Sequence, residues 1–229
     1  GVTEGDRVAG FLPNFAGSIV AMLATASIGA IWSSCSPDFG EQGVIDRFGQ
    51  IEPKVLFCVD GYFYNGKSHN CLGKIKSFIA RLPTLKQVVI FDYASLDNIS
   101  INNSIPYQEI VDNYEPSEID FERVGFDHPL YIMYSSGTTG VPKCIVHGHG
   151  GTLVQHLKEH QLQTNISAGD RVFYFTTCSW MMWNWLVSAL GTGATIMLYD
   201  GSPTYPDNIV LWKFADEEQF SHFGTSAKY

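Results

Sequence analysis

The chain has 229 residues, of which 45% are hydrophobic, 14% aromatic and 16% charged. That balance fits a globular protein with a sizeable core and excludes a disordered chain, because the aromatic residues supply enough apolar area to offset ordering entropy. A formal net charge of −9 disfavours a broad nucleic-acid or anionic-membrane surface and leaves room for a local basic pocket.

Five cysteines, Cys35, Cys58, Cys71, Cys144 and Cys178, are widely spaced, odd in number and free of any CxxC pair. A disulfide framework or zinc site is not expected, and reduced thiols in the cytosol are. The chain starts at Gly1 and stops at Tyr229 in what reads as a continuing domain, so a fragment of a longer protein is expected.

In chain order, apolar β-rich runs predict strands at 7–12, 54–59, 87–91, 130–134, 144–147, 171–175, 195–199 and 219–223. Helical patterns fall at 15–31, 68–82, 151–163, 180–190 and 208–218. Alternation with short connections predicts an α/β fold with largely parallel sheets. The uncharged stretch 15–31 is short for a membrane span and rich in small residues, and it reads as a buried helix. Segment 93–127 is polar and turn-rich, with Pro106 and Pro116. It reads as a connector between two α/β units, 1–92 and 128–229.

An internal repeat is consistent with two units. Gly5-Asp6-Arg7-Val8 recurs as Gly169-Asp170-Arg171-Val172, and Gly29-Ala30 recurs as Gly193-Ala194 at the same offset, with Phe11 matching Phe175. Each copy reads as a turn, a strand, a helix, then Gly-Ala opening the next strand. Ordinary α/β punctuation gives the same pattern by chance, so both readings stand.

The segment Tyr134-Ser135-Ser136-Gly137-Thr138-Thr139-Gly140-Val141-Pro142-Lys143 follows an apolar strand. Gly137 and Gly140 allow tight turns and close approach of backbone N–H groups to an anion. The hydroxyls of Ser135, Ser136, Thr138 and Thr139 can donate to phosphate oxygens, and Lys143 adds a point charge. The spacing is not that of a Walker A loop, since Pro142 stands where that pattern needs its second glycine.

This decapeptide resembles the phosphate-loop signature of the adenylate-forming superfamily, which includes acyl-CoA synthetases, firefly luciferase and nonribosomal peptide adenylation domains. Gly5-Asp6-Arg7-Val8 with Leu12-Pro13-Asn14 resembles the first core motif of that family. The resemblance implies that residues 1–229 form an incomplete part of the large N-terminal domain, built from paired α/β subdomains. It also implies the chemistry: a carboxylate attacks the α-phosphate of Mg-ATP to give an acyl-adenylate and pyrophosphate, and the thiol of coenzyme A then displaces AMP. Residues 135–143 would hold the β- and γ-phosphates, with Thr138 and Lys143 in the catalytic part. Magnesium would arrive with ATP, and no protein-held metal is expected. His147, His149, His156 and His160 lack the carboxylates or cysteines that would complete a zinc site.

Further segments resemble the acetoacetate-activating branch of the family: 31–40, 64–67, 150–160, 180–185 and 198–203. In related acetate-activating enzymes the segment matching 180–185 lines the acyl pocket. Trp180, Met181, Met182 and Asn184 are therefore expected to read the acyl group, with Asn184 donating to the extra carbonyl of acetoacetate. The other reading puts most of this segment in the core. Tyr64 and Lys67 fall where those enzymes carry arginines that contact coenzyme A. Tyr64 would stack on adenine and Lys67 would pair with the 3′-phosphate, unless Asn65-Gly66 simply marks a solvated turn.

The expected function is ATP-dependent formation of acetoacetyl-CoA in the cytosol, in ketone-body use and in fatty acid and lipid metabolism, by a longer enzyme. The alternatives are a ligase for another short-chain acid or a non-catalytic nucleotide-binding fragment. The expected partners are small molecules, with neither nucleic acid nor membrane among them.

Overall fold

The computed structural model describes residues 1–96, 101–136, 140–227 and 229. The elements in order are β1 (Arg7–Phe11), α1 (Ala16–Ser27), β2 (Ile31–Cys35), α2 (Glu41–Ile51), β3 (Val55–Val59), β4 (Gly61–Tyr64), β5 (Lys67–Asn70), α3 (Leu72–Ile79), β6 (Gln87–Phe91), β7 (Ser104–Pro106) and α4 (Tyr107–Asp112). They continue with β8 (Pro129–Tyr134), β9 (Cys144–Gly148), α5 (His149–Lys158), β10 (Arg171–Tyr174), α6 (Met181–Ser188), β11 (Thr195–Met197), α7 (Val210–Glu217) and β12 (His222–Gly224). A π-helical turn, Glu159–Gln163, prolongs α5, and a 3-10 turn, Ala189–Thr192, prolongs α6.

A seven-stranded sheet runs β7-β6-β3-β1-β2-β8-β9, and a three-stranded sheet runs β11-β10-β12. All pairs in both sheets are parallel except β8–β9. The strands of the large sheet alternate sides as the pleat requires. Ala9 and Phe11 face a core with Val44 and Phe48 of α2 and with Ile75 and Phe78 of α3. Val8 and Trp32 face the other side, against Ile19 and Met22 of α1 and Trp183 and Val187 of α6. Through α6 the second unit therefore packs directly on the first sheet.

The division expected at residues 127 and 128 does not follow the sheets. β8 and β9 join the first sheet by pairing β8 with β2, because the apolar run at 130–134 is completed only beside another buried strand. Segment 93–127 also holds more than a connector, since β7 adds to the sheet edge beside β6. The helix expected over 15–31 stops at Ser27, and Gly29-Ala30 opens β2. Only one face of α1 is buried; Val20 and Leu23 are exposed. No helix among the described residues is long and apolar enough to cross a membrane.

The repeat is structural. Gly5 and Gly169 both take positive φ, +77° and +91°, which glycine adopts without steric cost. The carboxylate that follows each glycine accepts from the N–H and hydroxyl three residues back: Thr3 to Asp6 at 2.8 and 3.1 Å, Ser167 to Asp170 at 2.7 and 3.0 Å. Each aspartate carbonyl then accepts from the residue that opens the next strand, Ile31 or Thr195, both at 2.8 Å. Arg7 pairs with Ile31 and Arg171 with Thr195 in register. In both units the repeated strand lies between its two parallel neighbours, β2-β1-β3 and β11-β10-β12.

The two copies differ in their third partner. Asp6 accepts from Lys54 at 2.8 Å, whereas Asp170 lies 3.9 Å from the His222 imidazole. The Lys54 hydrogen bond, followed by that from the Thr3 amide, holds the Asp6 carboxyl below the ordinary carboxylate range. Its contribution is fully present above that range and is lost as pH falls through the lowered value. We expect Asp6→Asn to destabilise the full-length protein by about 1 kcal/mol, the scale of a charge-assisted bond at a partly exposed site. Chemical denaturation measures this, with Asp170→Asn expected to lose less.

Candidate active site

The strand β8 is buried at Tyr131 and Ile132, and its carboxyl end carries the serine- and glycine-rich loop. The loop base is closed twice. Ser135 N–H donates to the Lys143 carbonyl at 3.0 Å, and Lys143 N–H donates to Ser135 Oγ at 2.9 Å. The exit is tied to α2, where Gln50 Nε2 donates to the Pro142 carbonyl at 2.8 Å. Below the loop, the Ser33 hydroxyl bonds both the Ile132 carbonyl (2.8 Å) and the Tyr134 hydroxyl (2.9 Å). The Arg47 guanidinium stands 5.7 Å from the Tyr134 ring centroid.

Gly140 has φ +140° with open space where a Cβ would lie, so backbone conformation is what requires glycine there. Ser136, Gly140 and Lys143 are exposed, and among the described residues no carboxylate pairs with Lys143. Gly137, Thr138 and Thr139, named above as phosphate-binding, lie outside the described residues.

The segment 180–185 divides by face. Trp180 and Met181 are exposed at 67% and 45%, while Trp183 and Asn184 are buried. Trp183 Nε1 donates to Asn14 Oδ1 at 2.9 Å. Asn184 Nδ2 points at Met133 Sδ, 3.4 Å away on the strand that bears the loop. A thioether is a weak acceptor, so this amide is only lightly held. The turn before α6 is stitched to the first sheet: Ser34 Oγ donates to the Cys178 carbonyl at 2.6 Å, and Ser36 N–H donates to Ser179 Oγ at 2.5 Å.

A cleft of about 550 Å³ opens at the carboxyl ends of β1, β2 and β10, with Asn14, Asp38, Tyr64, Thr177 and Asp200 among its lining residues. Ligands of open α/β sheets bind at this end of the strands. Tyr64 and Lys67 face each other across the β4–β5 hairpin, whose turn residues Asn65 and Gly66 both take positive φ, +50° and +71°, the geometry of a tight two-residue hairpin. Tyr64 reaches the cleft wall. Burial raises the Asp200 carboxyl above its ordinary range, while Phe63 N–H (3.4 Å) and the Tyr93 hydroxyl (3.1 Å) donate to it.

Asn14, Asp38, Thr177 and Asp200 were not singled out from the sequence as site residues. For Thr177 the repeat held the signal. Pro13 and Thr177 are equivalent positions just past β1 and β10, and both line the one cleft.

Behind α6, His156 Nδ1 and His160 Nε2 both contact Ser188 Oγ, at 2.9 and 2.8 Å. The Ser188 hydroxyl donates to the Trp185 carbonyl at 2.7 Å, so its lone pairs face the imidazoles. His160 packs on Trp185, with ring centroids 4.4 Å apart. Both histidines thus serve the helix that carries residues 180–185. Among the described residues no three His, Cys, Asp or Glu side chains converge on a metal position.

The family model of AMP-binding enzymes matches residues 1–227. The chain is 54% identical to the acetoacetyl-coenzyme A synthetase of Rhizobium meliloti (strain 1021), covering 100% of this chain and 35% of that protein. It is 45% identical to malonamoyl-CoA synthetase vrtB of Penicillium aethiopicum, covering 100% and 34%. The solved acetoacetyl-CoA synthetase from Streptomyces lividans superposes with a TM-score of 0.95 at 47% identity, over 100% of this chain and 35% of that one. The chain therefore spans about a third of the length of the relatives it matches.

The histidine cluster gives a pH dependence. Burial, more than neighbouring charge, lowers both imidazoles below their ordinary range. As pH falls, the unfolded chain takes up these protons first, so stability is retained above the ordinary imidazole value and lost as pH drops from there through the lowered values. Denaturation midpoints of the full-length protein should fall between roughly pH 7 and pH 5. His160→Phe, which keeps a ring on Trp185, should flatten that slope; an unchanged slope would exclude His160 as its source.

Proposed function

We propose, for a chain that belongs to the family of AMP-binding enzymes, that it forms the phosphate-holding and acyl-reading part of an ATP-dependent ligase joining acetoacetate to coenzyme A. One observation carries this reading. The loop and the acyl segment share a strand, since β8 ends in the loop and presents Met133 to Asn184 of α6. The carboxylate and the triphosphate would thus meet at the end of a single rigid element, where orientation contributes most to rate.

In the first half-reaction a carboxylate oxygen bonds to the α-phosphorus and pyrophosphate leaves. Ser135, Ser136, Gly137, Thr138, Thr139, Gly140 and Lys143 hold the β- and γ-phosphates, with Thr138 and Lys143 stabilising the charge that builds on the leaving group. Mg2+ enters as part of the ATP substrate. In the second half-reaction the coenzyme A thiol attacks the acyl carbon and AMP leaves. Tyr64 supplies an aromatic face for the adenine of coenzyme A at the cleft mouth, and Lys67 a cation for its 3′-phosphate. Asp38 and Asp200 line the same cleft, so its interior suits the uncharged arm of coenzyme A better than its phosphates.

Trp180, Met181 and Met182 read the acyl chain, and Asn184 donates to the 3-oxo group by giving up its weak contact with Met133. The likeness to a malonamoyl-CoA synthetase favours a second reading, in which the substrate is another short acid. Malonamate also carries a carbonyl on the carbon next but one to its carboxylate, so the same donor would serve it. The free thiols of all five cysteines support action in the reducing cytosol, within ketone-body and lipid metabolism.

Acid-dependent exchange of pyrophosphate into ATP by the full-length protein tests the proposal, with acetoacetate, malonamate, butyrate and acetate compared. Acetoacetate should support the fastest exchange, and equal rates with butyrate would refute a 3-oxo acid ligase. Lys143→Ala should slow adenylation by about 10²–10³, the scale of one lost charge-stabilising donor, with a smaller effect on thioester formation from preformed acyl-adenylate. Gly140→Val should act similarly through backbone strain. Asn184→Ala should cut the preference for acetoacetate over butyrate about tenfold.

A further inference from the structure

Asn14 lies in the turn after β1, 4% exposed, with one side on the cleft and the other on α6. Its Oδ1 accepts from Trp183 Nε1 at 2.9 Å, and its Nδ2 is directed at the Tyr199 carbonyl at 3.5 Å. An indole N–H only donates, so the amide oxygen must face Trp183 and the amide nitrogen is left for Tyr199. One short side chain therefore holds two elements from the far half of the chain. Trp183 sits two residues beyond the exposed Met181 in α6. Tyr199 directly precedes Asp200 in the cleft wall.

We propose that Asn14 is a positioning residue, setting the acyl-reading turn and the coenzyme A cleft against each other so that acid and thiol are placed from one reference point. The inference rests on the ligase reading above. A buried amide suits the task because its donor and acceptor are fixed in direction, whereas an apolar contact would let α6 slide on the sheet. A residue that merely filled the core would affect stability alone, leaving selectivity and the coenzyme A requirement intact.

Full-length variants test this. Asn14→Ala and Trp183→Phe, which keeps a ring but removes the N–H, should each lower acetoacetate-over-butyrate selectivity about tenfold. The double variant should be no worse than either single one, as expected of two residues acting through one bond. Asn14→Asp keeps an acceptor for Trp183 but sets an oxygen against the Tyr199 carbonyl. It should raise the KM for coenzyme A about tenfold with acid selectivity retained. Selectivity unchanged in Asn14→Ala, or additive losses in the double variant, would overturn the proposal.

Amide hydrogen exchange separates this outcome from failure of the functional reading. If the wild type activates no 3-oxo acid, the ligase reading fails, and exchange alone decides the positioning role. Faster exchange at both 178–184 and 199–203 in Asn14→Ala supports it, and no change in either segment overturns it.

Discussion

The polar seam between the ends of β1 and β2 and the start of α6 is the constraint on which the site depends. Two separate sheets each present strand ends to one cleft, and the value of that arrangement lies in their relative position. The seam consists of directed bonds: Trp183 to Asn14, the Cys178 thiol to the Pro13 carbonyl at 3.1 Å, Ser34 to the Cys178 carbonyl, and Ser36 N–H to Ser179. Apolar packing of Trp183 and Val187 on the first sheet supplies the area, but burial is indifferent to small slides. Hydrogen bonds made in a buried setting are costly to leave unmade, and that cost fixes the register. Burial also pushes the Cys178 thiol far up, so within the seam it acts as a neutral donor.

A second constraint acts at the loop. Parallel strands end at the same side of the sheet, so a loop that leaves β8 emerges beside the ends of β1 and β2 without further instruction. The chain then turns back antiparallel as β9, and the doubled Ser135–Lys143 contact makes the turn a closed unit. Ser136 and Gly140, the described residues next inside that closure, are exposed, as a loop that meets an anion requires. Ser135, named from sequence as a phosphate donor, thus has a second, internal use, accepting from the backbone of the lysine it works beside.

The pairing of units follows one local rule applied twice. Glycine in the left-handed region, followed by an aspartate that captures the N–H and hydroxyl of the residue three before it, aims the residues that follow as a central parallel strand. The copies have diverged where they serve different neighbours. Lys54 secures the first, in the large sheet. His222 stands beside the second, at the edge of the small one. The helix that follows is continuous for twelve residues in the first copy. In the second it shortens and tightens to a 3-10 turn, where the histidine and serine cluster grips it.

Local chemistry determined the parts that a short window contains. The strand at 87–91, the turn glycines Gly5 and Gly169 and the repeat all depend on backbone freedom and apolar runs within a few residues, and these are legible in the sequence. The amphipathic spacing of Val44, Phe48 and Ile51 is equally present, but the polar residues between them mask α2 in a reading by apolar runs. Tertiary structure alone decided the rest. Whether β8 opens a new sheet or completes an old one depends on which partner buries it. Which of Trp180, Met181, Trp183 and Asn184 faces solvent depends on where α6 meets β8 and Asn14. Asn14, Asp38 and Asp200 lie in segments that resemble the family, yet nothing local shows that they line one cleft, because that takes convergence across more than a hundred positions, and only the packed sheets bring it about.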